Sequence, residues 1–228
     1  RYKALEFSGE AFAHLTLDDR FTVANMAVEC GAKAGVFVPD APILAYAEAR
    51  KARPFHPIYP DEGASYEAVV EIDAGSLEPL VAAPPSPAAV RPAKTFADVT
   101  VDQVFIGSCT NGRLRDLELA AGLLKGRRVA DSVRCVVIPA SYEVFKEALR
   151  RGYIATFVEA GAVVSTPSCG PCLGGHLGIL AAGERCLATS NRNFTGRMGH
   201  PESEVYLAGP LVAAATALTG RITDPREV

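Results

Sequence analysis

The sequence predicts an α/β protein, with three-layer α/β/α units built on mainly parallel sheets. Three observations lead there. From residue 98 onward, apolar runs of strand length alternate with runs of helical period, the pattern of parallel strands joined by helical crossovers. The loops that leave the apolar runs hold glycine, cysteine, amide and arginine side chains, and an open parallel sheet collects its ligand-binding groups at such strand ends. Finally, 49% apolar and 21% charged residues over 228 positions is enough apolar chain for a sizeable core.

The opening Tyr2-Lys3-Ala4-Leu5-Glu6-Phe7 reads as a strand-like region entered in its middle, so a preceding N-terminal portion is expected. The first helix is expected from about Asp18 to Cys30, capped by Asp18 or Asp19 and stopped by a left-handed Gly31. Phe21, Val23, Ala24, Met26, Ala27 and Val28 surround that cylinder with apolar groups, which predicts a buried helix. Asn25 and Glu29 stand four apart on one of its faces, and a buried carboxylate needs a partner, so the pair is expected to face a cleft.

Prolines gather between Lys51 and Asp61 and again between Pro79 and Pro92, where neither helix nor central strand can continue. The expected division is a partial α/β domain over 1–83, a Pro/Ala-rich linker over 84–97 and a cysteine-bearing α/β/α domain over 98–228. Within the last, strands are predicted at Gln103–Ser108, Arg134–Pro139, Ala162–Ser165 and Arg185–Thr189. Helices are predicted near Arg113–Lys125, Ser141–Arg151, Ala155–Glu159 and Gly209–Leu218.

With 23 basic and 26 acidic residues the net charge is −3, and no basic cluster marks a nucleic-acid partner. No apolar run approaches a membrane span and no secretory signal opens the chain, so no membrane partner and a cytoplasmic location are expected. Six cysteines are too sparse for a disulfide scaffold and suit metal binding or catalysis in a reducing compartment.

Three loops carry the chemistry. Cys169 and Cys172, two residues apart, can reach one metal centre or form a redox pair, and Cys109 adds a third thiolate from a separate strand end. A structural zinc site wants four closed ligands, whereas three thiolates leave one iron of a cubane open to substrate. Cys30, Cys135 and Cys186 lie in apolar runs and are expected in the core. Arg192 and Arg197 flank amides and a glycine, and guanidinium groups there can hold a carboxylate in bidentate geometry. His176, shortly after Cys172, could donate to a cofactor sulfur or to substrate, or could start a helix and make a structural hydrogen bond.

Taken together, Gly107-Ser108-Cys109-Thr110-Asn111, Cys169-Gly170-Pro171-Cys172 and Ser190-Asn191-Arg192-Asn193-Phe194-Thr195-Gly196-Arg197 resemble the aconitase superfamily over nearly the whole chain. The nearest resemblance is to its isopropylmalate-isomerising branch, whose pattern also includes Asn25-Met26-Ala27-Val28-Glu29 and the ending Ile222-Thr223-Asp224-Pro225. The resemblance implies a 4Fe-4S cluster on Cys109, Cys169 and Cys172, and a carboxylate clamp of Asn191, Arg192 and Arg197. It further implies acid/base work at Glu29 and Asn25, with Asn111 and His176 behind them.

The implied reaction is a hydro-lyase isomerisation of 2-isopropylmalate and 3-isopropylmalate in leucine biosynthesis. The implied partners are a small, swivel-domain subunit and a di- or tricarboxylate hydroxy-acid substrate. Homocitrate and citrate are the alternative substrates, and a cluster-binding redox or iron sensor is the non-enzymatic alternative. The family's N-terminal Asp-His and Ser-His motifs have no counterpart, so the chain is expected to be a C-terminal portion, inactive alone.

Overall fold

The computed structural model describes residues 2–228. The chain forms two compact units, the first ending at Leu77 and the second running from Glu78 to Val228.

In the first unit, β1 (Ala4–Phe7) and β2 (Ala34–Phe37) pair in parallel, Ala4 opposite Ala34 and Phe7 opposite Phe37. Between them runs α1 (Leu17–Met26), whose N-terminus is closed by a capping box: Thr16 Oγ1 accepts the Asp19 amide while Asp19 accepts the Thr16 amide. Gly35 permits the close packing here, because a Cβ on it would stand 2.8 Å from Ala27 Cβ. Arg20 is buried and bridges the unit, donating to Asp40 at 2.6 Å and to the Phe12 carbonyl at 2.8 Å. Phe7, Phe12 and Phe37 cluster beside it with ring centroids 5.0–6.1 Å apart. Asp40 then caps α2 (Ala41–Arg50) by accepting the Ile43 amide.

Two expectations change in this unit. The helix does not run unbroken to Cys30: past Met26 it tightens into a 3-10 turn over Ala27–Cys30, and Thr16 rather than Asp18 or Asp19 caps it. Nor is it buried all round. Apart from Arg20 and Ala27 its side chains are only partly buried or are exposed, since a two-stranded sheet offers too little surface to cover a helix on every side.

The second unit holds a seven-stranded sheet in the order β4-β3-β9-β8-β5-β6-β7. Its strands are β3 (Leu80–Ala82), β4 (Val90–Pro92), β5 (Gln103–Gly107), β6 (Arg134–Ile138), β7 (Val163–Val164), β8 (Arg185–Ala188) and β9 (Glu204–Ala208). From β9 through β8, β5 and β6 to β7 every pairing is parallel, whereas β3 joins β9 and β4 antiparallel. The Pro/Ala-rich run is thus an edge hairpin of the sheet and not a linker. Proline is tolerated in its turn and its outer strand, while Ala93 and Phe96 just beyond are buried, Phe96 against Tyr206 at 5.8 Å between ring centroids.

Strand residues alternate strictly between the two faces. Val104, Ile106, Cys135, Val137 and Leu187 meet the helices α4 (Leu114–Leu124), α5 (Tyr142–Arg150), α6 (Tyr153–Glu159) and α7 (Pro210–Thr219). Phe105, Val136, Ile138, Cys186 and Ala188 meet Cys172, Leu180 and Met198 from long loops. The mainly parallel α/β architecture stands, with the second covering layer made of loop where helix was expected. The caps follow sequence: Ser141 Oγ accepts the Val144 amide at the start of α5, and Pro210 opens α7, which left-handed Gly220 ends. Among the described residues no helix is long and apolar enough to cross a membrane.

Leu117, fully buried between α4 and the sheet, carries far more of this packing than any cap. In urea titrations Leu117→Ala should lose about 2–5 kcal/mol of unfolding free energy and Ser141→Ala about 1 kcal/mol.

Candidate functional site

The carboxyl ends of β5, β6, β7 and β8 all open on one edge, and the cysteine and arginine loops leave from there. At the end of β5 the chain passes so near β6 that a Cβ on Gly107 would stand 2.5 Å from the Ile138 carbonyl oxygen. Ser108 follows in the left-handed region, φ 81°, a costly conformation for serine, with its Oγ accepting the Thr110 amide at 3.1 Å. This sharp corner starts the short helix α3 (Ser108–Asn111) and leaves Cys109 exposed.

Thr189, at the end of β8, fixes that corner from the other side. Its buried hydroxyl accepts the Gly107 amide at 2.9 Å and lies 3.0 Å and 3.2 Å from the Gly107 and Asn111 carbonyls. Asn111 returns the contact, its Nδ2 donating to the Thr189 carbonyl at 3.1 Å.

After β7, the chain turns through a 3-10 segment over Gly170–Leu173, in which the Cys172 amide donates to the Cys169 carbonyl at 3.1 Å. Cys169 is exposed and Cys172 buried. The arginine loop after β8 is fastened at both ends: Asn193 Nδ2 donates to the Ala83 carbonyl at 2.9 Å, and Leu180 bonds Met198 and His200 through backbone groups at 2.9 Å each. Asn191 is buried, and Arg192 and Arg197 are half-buried. Arg197 stacks over Phe194 at 5.3 Å, and its Nε is buried with no hydrogen-bond partner.

Cys109, Cys169 and Cys172 line one cavity of about 280 Å³ together with Ser108, Ala140, Pro167 and Ser168. Burial pushes the Cys172 thiol up, while the Arg197 guanidinium beside it pulls the other way. Cys135 and Cys186 are buried inside the sheet as expected, and burial pushes both thiols up to about 12. Cys30, expected in the core, is exposed, because the 3-10 turn that ends in left-handed Gly31 carries it outward. His176 is also exposed, and it is not among the cavity-lining residues. Asn25 and Glu29 are half-buried in the first unit, Asn25 on α1 and Glu29 on the 3-10 turn after it. Sequence reasoning missed Thr189 and Asn193, whose partners are backbone groups 78–111 residues away.

A model of the aconitase family (aconitate hydratase) matches residues 2–98 and 89–220. The chain belongs to the aconitase family. It is 54% identical over 227 residues to the 3-isopropylmalate dehydratase large subunit of Halothermothrix orenii, covering all of this chain and 54% of that protein. The corresponding large subunits of Moorella thermoacetica and Aquifex aeolicus are 56% and 53% identical, again over all of this chain and 54% of theirs. The chain spans about half the length of the curated relatives it matches.

The aconitase family implies an iron-sulfur cluster, and the donor set here fits one. Among the described residues no three His, Cys, Asp or Glu side chains converge on a single metal ion. Three thiols instead rim one hollow, an arrangement suited to a cubane, which offers a different iron to each thiolate. The unpartnered Arg197 Nε beside Cys172 adds a cationic donor that a sulfur-rich or carboxylate-bearing occupant would satisfy. These positions separate the six thiols by reactivity. Iodoacetamide applied to the iron-free chain at about pH 8 should label Cys30, Cys109 and Cys169 and leave Cys135 and Cys186 protonated and unlabelled, as peptide mass spectrometry would show.

Proposed function

We propose that this chain is the cluster-bearing part of the large subunit of an isopropylmalate isomerase, acting with a small, swivel-domain subunit. The observation that carries the reading is the three-thiol cavity with Arg197 against Cys172, in a chain more than half identical to named large subunits. Cys109, Cys169 and Cys172 would hold a 4Fe-4S cluster. When bound, the cluster supplies a Lewis-acidic iron, free of protein ligands, at which a substrate hydroxyl is polarised.

The chain's own residues contribute substrate binding and proton handling. Arg197 and Arg192, with Asn191, bind the substrate carboxylates, orient them and balance the negative charge that grows as the neighbouring carbon loses its proton. Glu29 holds and releases a proton at its carboxylate, with Asn25 orienting it; this assignment rests on the family likeness. Asn111 reinforces the corner that carries Cys109 through its bond to Thr189. The reaction removes one water from 2-isopropylmalate and returns it to the adjacent carbon, giving 3-isopropylmalate. A cytoplasmic location suits thiolates that must stay reduced.

Iron and acid-labile sulfide, measured after anaerobic reconstitution, should reach about four of each per chain and fall away in Cys109→Ser. Zinc uptake, or iron binding that survives loss of Cys109, would count against the cluster. Carried within a large subunit of the relatives' full length and assembled with the small subunit, this sequence should support turnover of isopropylmalate in preference to homocitrate and citrate, and Arg192→Lys there should lower kcat/KM by about 10- to 100-fold through loss of bidentate binding. Equal turnover of homocitrate would redirect the reading to that substrate.

A further inference from the structure

Ile138, the last residue of β6, is fully buried on the sheet face that packs against Cys172. Three glycines rest on it. A Cβ on Gly107 would stand 2.5 Å from the Ile138 carbonyl oxygen, and one on Gly112 would stand 2.9 Å from the same atom. A Cβ on Gly170 would fall well inside van der Waals contact distance of the Ile138 Cδ1 methyl. Gly107 and Gly112 bracket Cys109, whereas Gly170 lies between Cys169 and Cys172. Both cysteine loops therefore bear on one residue, the first through its carbonyl and the second through its terminal methyl.

The two contacts differ in stiffness. The carbonyl belongs to a strand held in register, Gly107 opposite Ile138, and the Ala140 amide bonds the Gly112 carbonyl at 2.8 Å. The Cys109 loop is thus tied to backbone that cannot give. The Gly170 contact is made to the end of a side chain, the buried Ile138 Cδ1 methyl.

We infer that Ile138 is a positioning residue that sets the separation of the Cys109 loop from the Cys169–Cys172 loop, and so governs whether the three thiols can hold one cluster. The role in cluster holding rests on the reading proposed above; the spacing itself does not. Ile138→Val removes Cδ1 and lets the second loop settle, while Gly170→Ala lifts it.

The test compares the full chain with Gly170→Ala, Ile138→Val and the double variant. Gly170 and Gly183 both have positive φ, 51° and 77°, but a Cβ on Gly183 would meet nothing within 4 Å, so Gly183→Ala is the control for backbone strain alone. Two readouts are taken. Dibromobimane, which bridges neighbouring thiols, is applied to the iron-free chain and the Cys109–Cys169 bridge is quantified by peptide mass spectrometry. Acid-labile sulfide and the electron paramagnetic resonance spectrum are recorded after anaerobic reconstitution.

Gly170→Ala should lose about tenfold in bridge yield and in sulfide, Gly183→Ala should keep both, and the double variant should return to within about twofold of the parent chain. Ile138→Val alone, which introduces no clash, should change the bridge yield by at least about twofold and alter the resonance line shape. A double variant no better than Gly170→Ala, or an Ile138→Val chain with the parent's bridge yield, overturns the spacer role. Sulfide bound equally by all variants leaves the cluster reading intact and also overturns the spacer. A bridge yield that follows Ile138 in a chain binding no sulfide upholds the spacing and defeats the cluster reading.

Discussion

The cysteine edge depends on one close approach of backbones. Where β5 ends there is no room for a side chain at Gly107, because the Ile138 carbonyl occupies the space a Cβ would need. From that approach follow the left-handed turn at Ser108, the outward placement of Cys109, and the reach of the Thr189 hydroxyl from β8 to the Gly107 amide. Three neighbouring strands are thereby locked at their carboxyl ends. The roots of the Cys109 and arginine loops are fixed to paired strands in the interior of the sheet, although the thiols of Cys109 and Cys169 stand open.

The sheet divides its labour between faces. On one, Leu117, Leu124, Phe157 and the alanines of α7 form a dense apolar layer, and the small Ala213, Ala214 and Ala217 let α7 lie close to the strands. On the other, irregular chain replaces helix, held by buried amides and by the backbone bonds of Leu180 to Met198 and His200. Irregular chain can present thiols and guanidinium groups to a hollow in a way a helix cannot, and the helical face supplies the stability that permits it.

The strands and helices with strong periodicity were legible in the sequence: β5, β6, α4, α5 and α7 fall within a residue or two of their expected limits, and all three cysteines follow apolar runs. What escaped had weaker or contrary local signals. Glu204–Ala208 is a short run between a polar turn and a helix cap, and it becomes a strand because it lies between β8 and β3. Prolines masked the β3–β4 hairpin, whose place at the rim tolerates them. Cys30 has apolar neighbours yet sits on a tightening turn. In the site, the thiols and arginines could be named, but the contacts of Thr189, Asn193 and Ile138 arise from strand register and distant loops, which local pattern does not encode.

Both rims of the large sheet are brief. One is β4, three residues long and ending in Pro92; the other is β7, two residues long. Unpaired strand rims are the surfaces on which sheets recruit further strands from other molecules, and length is what makes such recruitment stable. Here neither rim offers more than a few backbone groups, and Pro92 has no amide hydrogen to donate. Rims this short give a second copy little backbone to pair with, which disfavours extension of the sheet into a continuous intermolecular ribbon.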